Sequence, residues 1–303
     1  MDIQAFFDKN LPGKSIEYGA SLAKYTTFRV GGCADALLKP ASESELILAY
    51  KLCRENNIPV TLIGNGSNLL IKDGGIRGLV IRLGDSLTGI RVQENRVRAM
   101  AGESLARLSN ACLKAGLTGL EFASGIPGSV GGGMAMNAGA YGGQLSDVTE
   151  FCRVLDPATG AIETLDKNEL QMGYRSTRVL KENKLVLEAD FVLTAGDPEQ
   201  IKAQMDELNA RRREKQPLSY PSAGSFFKRP EGHFAGALIE QAGLKGLSVG
   251  DARVSEKHAG FIINTGAATA NDIISLMHEV QRRVFEAFGV TLEPEVRILG
   301  EDL

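Results

Sequence analysis

Hydrophobic positions along the chain follow a helical period in some stretches and form short apolar runs in others. Between Pro40 and Pro59 they fall on one helical face, and Ser42 with Glu45 predicts a capping box where that helix begins. Further helices are predicted by apolar stripes at residues 105–115, 198–213, 234–242 and 273–288. Strands are predicted by apolar runs at residues 60–63, 69–71, 79–83, 90–92, 97–99, 150–155, 161–165, 185–194 and 260–264. This mixture predicts a fold of the α+β class.

Three stretches depart from these regular patterns. Residues 119–143 are rich in glycine and too weakly periodic for one regular element. The helix opened by Asp197 and Pro198 ends in the run Arg211–Arg213, and we predict a boundary there, followed by a small C-terminal αβ domain. Cations in the last turn of a helix oppose its dipole, so this run has no predicted catalytic role. Residues 293–297 alternate between charged and apolar groups and predict a half-exposed strand.

Composition and charge narrow the classes of partner. The 34 Lys and Arg residues against 37 Asp and Glu give a formal net charge of -3, which favours neither nucleic acid nor an acidic membrane as a partner. The first residues lack the basic and apolar segments of a secretion signal, and no apolar run reaches the roughly 18 residues of a membrane span. We therefore expect a cytoplasmic protein. We also expect a monomer whose substrate is a small molecule.

Cysteine and histidine give no indication of a metal site or a disulfide framework. The residues concerned are Cys33, Cys53, Cys112 and Cys152, together with His233, His258 and His278. The cysteines form no C-x-x-C pair, which predicts reduced and mostly structural thiols. The histidines are too scattered for a His-rich metal site or an evident Ser-His-Asp triad. We therefore predict no bound metal.

Glycine is unusually frequent, because 35 of the 303 residues are glycine, well above its average share of about 7% of residues. One glycine-rich segment, Gly64-Asn65-Gly66-Ser67-Asn68, directly follows a predicted strand. Backbone N–H groups in such turns can form a concave anion-binding nest, although a plain tight turn explains the pentapeptide equally well. It is not a Rossmann fingerprint, because Leu69 stands where the third glycine would be.

A second glycine-rich segment extends from Ser124 to Gly133 and continues from Asn137 to Gly142. It lacks the Lys-Ser/Thr pair of a P-loop, and residues 128–131 miss the G-x-S-x-G register of a nucleophile elbow. These departures disfavour an ATPase and an α/β-hydrolase. The remaining interpretations are a backbone surface that contacts a large flat or phosphorylated ligand, and a purely structural glycine loop.

Three polar residues in irregular segments are chemical candidates, each with an ordinary alternative. Arg175 can bind a carboxylate or phosphate as a bidentate donor, or it is a solvated loop arginine. Ser225 lies between a glycine and two aromatic residues, and without a predicted neighbouring histidine it suits proton donation better than nucleophilic attack. A buried structural serine is the alternative. Carboxylates such as Glu295 are most often simply solvated.

The order of these motifs resembles that of the UDP-N-acetylenolpyruvoylglucosamine reductase family, flavoenzymes of bacterial cell-wall synthesis. The similarity covers nearly the whole chain, and an ordered set of blocks is far more specific than any single one. The matching blocks are Tyr25–Gly32, Ile63–Leu70, the long glycine-rich segment, Gly173–Ser176, Ser222–Lys228 and Leu292–Arg297.

The resemblance implies a vanillyl-alcohol-oxidase-like FAD-binding fold, in which two αβ subdomains hold FAD and a C-terminal αβ domain covers the substrate. The implied domains are residues 1–84, 85–212 and 213–303. The resemblance also allows the last few residues of the chain to return to the first subdomain. The FAD is expected to be non-covalent, because no histidine lies near the glycine-rich segments. The implied FAD-binding residues are Gly64, Asn65, Gly66, Ser67, Asn68, Ser124, Gly125, Pro127, Gly128, Val130, Gly131, Asn137, Gly139 and Ala140.

The resemblance also implies a reaction and the residues that perform it. NADPH would reduce FAD and leave, and the flavin would pass hydride to the methylene carbon of an enolpyruvyl sugar nucleotide, giving UDP-N-acetylmuramate. Arg175 and Glu295 match the family's catalytic arginine and glutamate, which polarise the substrate carboxylate, and Ser225 matches its proton donor. Tyr141, Tyr174 and Lys228 are the implied substrate-binding residues. The short interval between Arg175 and Ser225 leaves no room for the tyrosine-bearing lid of longer relatives.

Two other functions remain open from the sequence. A related flavin oxidase or dehydrogenase would act on a different substrate and consume oxygen once reduced. A nucleotide-binding regulator would keep the glycine-rich segments without redox chemistry, and the purified protein would stay colourless with added FAD.

Overall fold

In the computed structural model, which describes residues 2–303, the chain forms two units that are each built from separate stretches of sequence. The first unit contains the residues up to Tyr18 together with Ala36–Asn65 and Gly78–Arg212. The second contains Gly19–Asp35, Gly66–Arg77 and Arg213–Leu303. Residues 84 and 85 thus lie in the same unit, and the subdivision between them stays a prediction.

The helices reproduce most of the predicted stripes. The α-helices are α1 (Ile3–Asn10), α2 (Glu43–Glu55), α3 (Leu105–Lys114), α4 (Val130–Met136), α5 (Arg178–Lys181), α6 (Pro198–Lys215), α7 (Ala235–Gln241) and α8 (Ala270–Phe288). Short 3-10 turns lie at Leu22–Tyr25, Glu121–Ala123 and Leu145–Asp147. Ser42 caps α2 as predicted by accepting from Glu45 N. The Glu45 carboxylate, however, accepts from Ala41 N rather than from Ser42 N, so the N-cap is confirmed but the reciprocal bond of the predicted capping box is not formed.

The strands form one large antiparallel sheet and several smaller sheets. They are β1 (Ile16–Ser21), β2 (Cys33–Leu38), β3 (Val60–Ile63), β4 (Leu69–Ile71), β5 (Ile76–Arg82), β6 (Ile90–Gln93), β7 (Arg96–Met100), β8 (Leu117–Thr118), β9 (Gly139–Ala140), β10 (Gly143–Gln144), β11 (Thr149–Leu155), β12 (Ile162–Asp166), β13 (Leu185–Val192), β14 (Thr194–Ala195), β15 (Ser248–Val249), β16 (Ala252–Val254), β17 (Ile262–Asn264) and β18 (Arg297–Leu299). The large sheet has the order β12-β11-β13-β7-β6, and a four-stranded sheet has the order β1-β2-β5-β3.

The core of the first unit lies between its sheets and helices α2, α3 and α4. Residues 185–187 of β13 are all buried, and from Leu187 to Val192 buried and half-buried residues alternate, as expected for a strand with one face on the core. Helix α4 was not predicted, because three of its seven residues are glycine. Packing explains it, since Val130 and Met134 are fully buried, and a Cβ on Gly133 would be 3.0 Å from Leu145. Tertiary contacts here outweigh a poor local helix propensity.

The core of the second unit is formed by helices α7 and α8, the sheet β15-β16-β17 and residues from two earlier stretches. Phe28 and Leu70 are fully buried in it. Strand β18 pairs in parallel with β4, so the end of the chain returns to the segment 1–84. Two residues of the predicted apolar stripes face outward. Phe234 directly precedes α7 and is 63% exposed, and Phe288 is the last residue of α8 and is 39% exposed.

Several predicted boundaries were wrong by a few residues. The strand predicted at residues 293–297 begins only at Arg297, because residues 293–295 instead lie against residues 226–228 through single hydrogen bonds. Helix α8 begins at Ala270, three residues earlier than its apolar stripe, because a capping box of Thr269 and Asp272 starts it. Within the described chain, no helix has the length and apolar character needed to cross a membrane.

Cysteine reactivity gives a test of this fold. All four cysteines are free, and only Cys33 is exposed. Burial raises the pKa of Cys53, Cys112 and Cys152 to about 12 in each case, which suppresses the reactive thiolate near neutral pH. We therefore expect a disulfide reagent such as DTNB to label one thiol rapidly in the native protein and all four after denaturation. Rapid labelling of the Cys33→Ser variant would contradict this burial.

Candidate active site

The two glycine-rich segments meet in the first unit. The chain leaves β3 through Gly64, where an added Cβ would overlap with Ser129 Oγ. The Ser129 hydroxyl is itself committed, because it caps α4 by accepting a hydrogen bond from Gly132 N at 3.3 Å. Asn65 Nδ2 also donates to Pro127 O at 3.3 Å. A larger residue at position 64 would therefore have to displace the hydroxyl that caps α4.

The start of the second glycine-rich segment lies against helix α6. Asn209 Nδ2 donates to Ser124 Oγ at 3.1 Å, and a Cβ on Gly125 would be 3.1 Å from Arg212 Cδ. Burial lowers the pKa of the Arg212 guanidinium from its ordinary value, while Tyr141 acts in the opposite direction. An arginine that has lost part of its hydration beside a glycine-lined loop can bind an anionic group.

Sequence reasoning missed Arg212, which it assigned only to the helix dipole. A signal for its position was present, because Ile201, Met205 and Arg212 share one helical face at spacings of four and seven residues. Ile201 and Met205 are buried as predicted. The arginine at the end of the same stripe therefore points toward the body of the first unit, beside Ser124 and Gly125.

The end of the second segment forms a small hairpin of β9 and β10. An added Cβ on Gly139 would be 2.6 Å from Gly143 O, and one on Gly143 would be 2.6 Å from a ring carbon of Phe122. Tyr141 is at the tip, with φ at 53° and 43% of its surface exposed. The hairpin thus presents the backbone of Gly139 and Ala140 and the ring of Tyr141.

Arg175 is held at the tip of a tight turn in the first unit. Gly173 and Ser176 exchange backbone hydrogen bonds, of 2.8 Å and 3.3 Å, so that Tyr174 and Arg175 are the two residues at the tip. Arg175 has φ at 51°, a conformation that costs a non-glycine residue about 1 kcal/mol or more. Its guanidinium lies 5.1 Å from the centre of the Tyr174 ring, and Nη1 donates to Asn137 O at 3.5 Å. Strain of this kind is frequent at functional sites.

The second unit brings Ser225 and Glu295 close together. Glu295 N donates to Phe226 O at 2.8 Å, directly beside Ser225. Asn68, from the first glycine-rich segment, donates through Nδ2 to Glu295 O at 3.1 Å. Lys228 forms an ion pair with Glu293 at 3.0 Å. Ser225 is exposed, whereas both phenylalanines that follow it are buried. The predicted serine is therefore presented on a well-anchored loop.

The first glycine-rich segment also makes close backbone contacts in the second unit. Gly66 has φ at 64°, and an added Cβ there would overlap with Tyr25 O. Thr27 N donates to Gly66 O at 3.1 Å, and Arg297 N donates to Asn68 O at 3.0 Å. These contacts fix both ends of the stretch that contains Ser67.

The predicted site residues therefore fall into two groups. The first unit contains Gly64, Asn65, Ser124, Gly125, Pro127, Gly128, Val130, Gly131, Asn137, Gly139, Ala140, Tyr141, Tyr174 and Arg175. The second unit contains Gly66, Ser67, Asn68, Ser225, Lys228 and Glu295. Over residues 2–303, no group of three or more His, Cys, Asp or Glu side chains is arranged to hold a metal ion.

Comparison with protein families matches both parts of the chain. Residues 34–166 match the family described as an FAD-binding domain. Residues 216–299 match the C-terminal domain of UDP-N-acetylenolpyruvoylglucosamine reductase. These matches confirm the expected α+β class with an FAD-binding fold.

Individual relatives agree with these families over almost the full length. The reductase of Clostridium novyi strain NT is 49% identical over 302 residues, which cover 100% of this chain and 98% of the relative. The reductase of Clostridium botulinum strain Hall is 53% identical over 284 residues, covering 93% and 91%. The crystal structure of the corresponding reductase from Thermus caldophilus aligns with a TM-score of 0.79 at 35% identity, covering 95% of this chain and 100% of that chain.

Proposed function

The chain belongs to the UDP-N-acetylenolpyruvoylglucosamine reductase family, and on this premise we propose that it uses NADPH and non-covalent FAD to convert UDP-N-acetylglucosamine enolpyruvate to UDP-N-acetylmuramate. The product is a precursor of peptidoglycan. The main observation in support of the proposal is the approach of Gly64 to Ser129, because it places the two glycine-rich segments side by side in the first unit. We further propose that the enzyme is a cytoplasmic monomer.

The residues of the first unit fit an FAD dinucleotide. In both segments glycine lies tightly against other parts of the protein, Gly64 beside Ser129 and Gly139 beside Gly143, so the backbone there is held in place. Glycine-rich turns of this kind can present peptide N–H groups to a phosphorylated ligand. We propose that residues 64–68 bind the FAD pyrophosphate and that residues 124–131, 139 and 140 line the remaining cofactor. Bound FAD supplies the hydride that reduces the enolpyruvyl double bond.

Three residues of the chain act on the substrate in this proposal. Negative charge develops on the carbon beside the carboxylate as the methylene carbon is reduced. Arg175 binds that carboxylate through its planar fork and stabilises the spreading charge. Glu295 assists Arg175 in polarising that carboxylate. Ser225 donates the proton that completes the reduction.

Other residues recognise the sugar nucleotide. Lys228 and Tyr141 are proposed ligands of its diphosphate and uridine, and Tyr174 is a proposed substrate contact. To these we add Arg212, whose partly desolvated guanidinium beside Gly125 suits an anionic group of the substrate or cofactor.

An absorption spectrum followed by an NADPH oxidation assay tests the proposal. We expect a yellow protein that oxidises NADPH rapidly only when the enolpyruvyl sugar nucleotide is present. Fast oxygen consumption with no response to that substrate would instead identify a flavin oxidase. A protein that stays colourless with added FAD would identify a nucleotide-binding regulator.

The variant Gly64→Ala tests the cofactor surface. Its new methyl group would displace Ser129 Oγ and disrupt the α4 cap, worth about 1 kcal/mol, while separating the two segments. We expect the dissociation constant for FAD to rise by about tenfold or more, which corresponds to about 1.4 kcal/mol. Fluorescence titration of the apoprotein measures this constant.

Gly89→Ala is the matched control, because the nearest atom to its added Cβ would be Met100 Sδ at 3.4 Å. We expect it to bind FAD like the wild type. Circular dichroism verifies that both variants are folded. If folded Gly64→Ala binds FAD with unchanged affinity, the surface described above does not hold the cofactor.

A further inference from the structure

Asn137 is a fully buried polar residue at the end of helix α4. It is 1% exposed and has φ at 44°, a left-handed conformation that asparagine tolerates better than most residues. Its Oδ1 accepts from Ser146 N at 2.9 Å. Its Nδ2 lies 3.2 Å from Gln144 Oε1, 3.3 Å from Ser146 Oγ and 3.2 Å from Gly173 O. The amide is therefore satisfied by the protein itself and is not available to a ligand.

One of these hydrogen bonds ends in the turn that carries Arg175. Gly173 O accepts from Asn137 Nδ2 and also from Ser176 N, the bond that closes the turn. Asn137 O accepts in addition from Arg175 Nη1. One buried residue thus holds both the base of the turn, through its side chain, and the guanidinium, through its backbone.

A second anchor restrains the same turn from the other side. Thr177 is fully buried, and its Oγ1 donates to Ala135 O at 2.8 Å while accepting from Leu180 N at 3.2 Å. The chain on the C-terminal side of Arg175 is thereby fixed to helix α4. On the N-terminal side, the Asn137 amide supplies the corresponding link through Gly173. The strained φ of Arg175 needs such support from both sides.

We propose that Asn137 is a positioning residue that acts through Arg175, rather than a ligand of the cofactor. This inference rests on the proposed function, in which Arg175 binds the substrate carboxylate. Loss of the amide leaves Gly173 O with one donor fewer and frees the base of the turn. A displacement of about 1 Å in a positioned group can cost roughly 10²-fold in rate. Asn137 consequently affects substrate reduction and not the reduction of the flavin by NADPH.

The test compares Asn137→Gly with Ser146→Ala. Glycine adopts the left-handed backbone of residue 137 without strain, so this variant removes the side chain, with its bonds to Gly173 O and from Ser146 N, and adds no backbone strain. Ser146→Ala removes one acceptor of the same amide but keeps its bond to Gly173 O. In Asn137→Gly we expect kcat for substrate reduction to fall by about 10- to 100-fold, with NADPH-driven flavin bleaching unchanged. Ser146→Ala is expected to match the wild type in both steps.

Two further measurements separate positioning from a general loss of structure. Amide hydrogen exchange in residues 170–180 should accelerate in Asn137→Gly and not in Ser146→Ala, whatever the activity. In an Arg175→Ala background, Asn137→Gly should cause almost no additional loss, because residues that act together are not additive.

Equal slowing of both steps, unchanged exchange in residues 170–180, or the full Asn137→Gly effect in the absence of the Arg175 side chain would each overturn the proposal. A wild type that bleaches with NADPH but ignores the enolpyruvyl substrate would instead refute the proposed function. The exchange measurement still decides the structural part in that case.

Discussion

Replacing Arg175 by lysine is expected to slow reduction of the enolpyruvyl substrate by about 10²- to 10³-fold, the loss typical for removal of one donor to a developing oxyanion. Reduction of the flavin by NADPH should remain at the wild-type rate, because that step develops no charge on the substrate carboxylate. Rapid mixing with NADPH and then with substrate measures the two steps separately.

The physical reason is the geometry of the guanidinium. A planar fork donates two parallel hydrogen bonds to a carboxylate, whereas an ammonium group is a single charge on a flexible stem. The protein fixes this fork at considerable cost, since Arg175 has φ at 51° at the tip of the turn closed by Gly173 and Ser176. Lysine at residue 175 would keep the backbone strain and the charge while losing the fork.

Arg178→Lys is the control for this prediction. Arg178 lies three residues away on helix α5 and pairs with Glu182 at 2.8 Å, so its replacement alters a nearby surface cation without touching the turn. Exposed ion pairs of this kind contribute little to stability, because solvent screens them. We expect Arg178→Lys to have wild-type rates in both steps. Near-normal substrate reduction in Arg175→Lys would remove Arg175 from the site.

Periodic patterns in the sequence predicted the elements that bury a clear stripe. Helix α6 is an example, because Asp197 accepts from Glu199 N at its start and Ile201 and Met205 face the core. Helix α4 could not be predicted in this way, since its glycine-rich sequence has poor propensity and its stability depends on distant residues such as Leu105 and Leu145. The ends of elements were also less predictable, because they too depend on contacts with residues distant in the sequence.

The candidate site could likewise be predicted from the sequence only in part. Its residue types and their order along the chain were evident from sequence, because a family resemblance carries both. The contacts that give those residues their roles were not, since the Gly64–Ser129 contact joins positions 65 residues apart. The hydrogen bond from the Asn137 amide to Gly173 O likewise joins distant residues, and no local sequence pattern indicates it.

Replacing Ser225 by alanine is expected to slow substrate reduction by at least about 10²-fold, the lower end for loss of a general acid. NADPH-driven bleaching of the flavin should be unaffected. A serine hydroxyl is a weak acid in isolation, but it can protonate a carbanion-like carbon, which is a far stronger base than water. The hydroxyl therefore acts only as negative charge accumulates on the substrate, and its loss should lower kcat more than it raises KM.

The surroundings of Ser225 make this variant a clean test. Phe226 is fully buried against Phe28, and its backbone N–H donates to Gly260 O at 2.8 Å, so the loop keeps its conformation when one exposed hydroxyl is removed. Ser222→Ala removes a hydroxyl from the same loop and should have wild-type kinetics. If Ser225→Ala slows both steps equally, the serine supports the fold or the cofactor rather than donating a proton. If it slows neither, another group supplies the proton, and the assignment of Ser225 as the general acid is wrong.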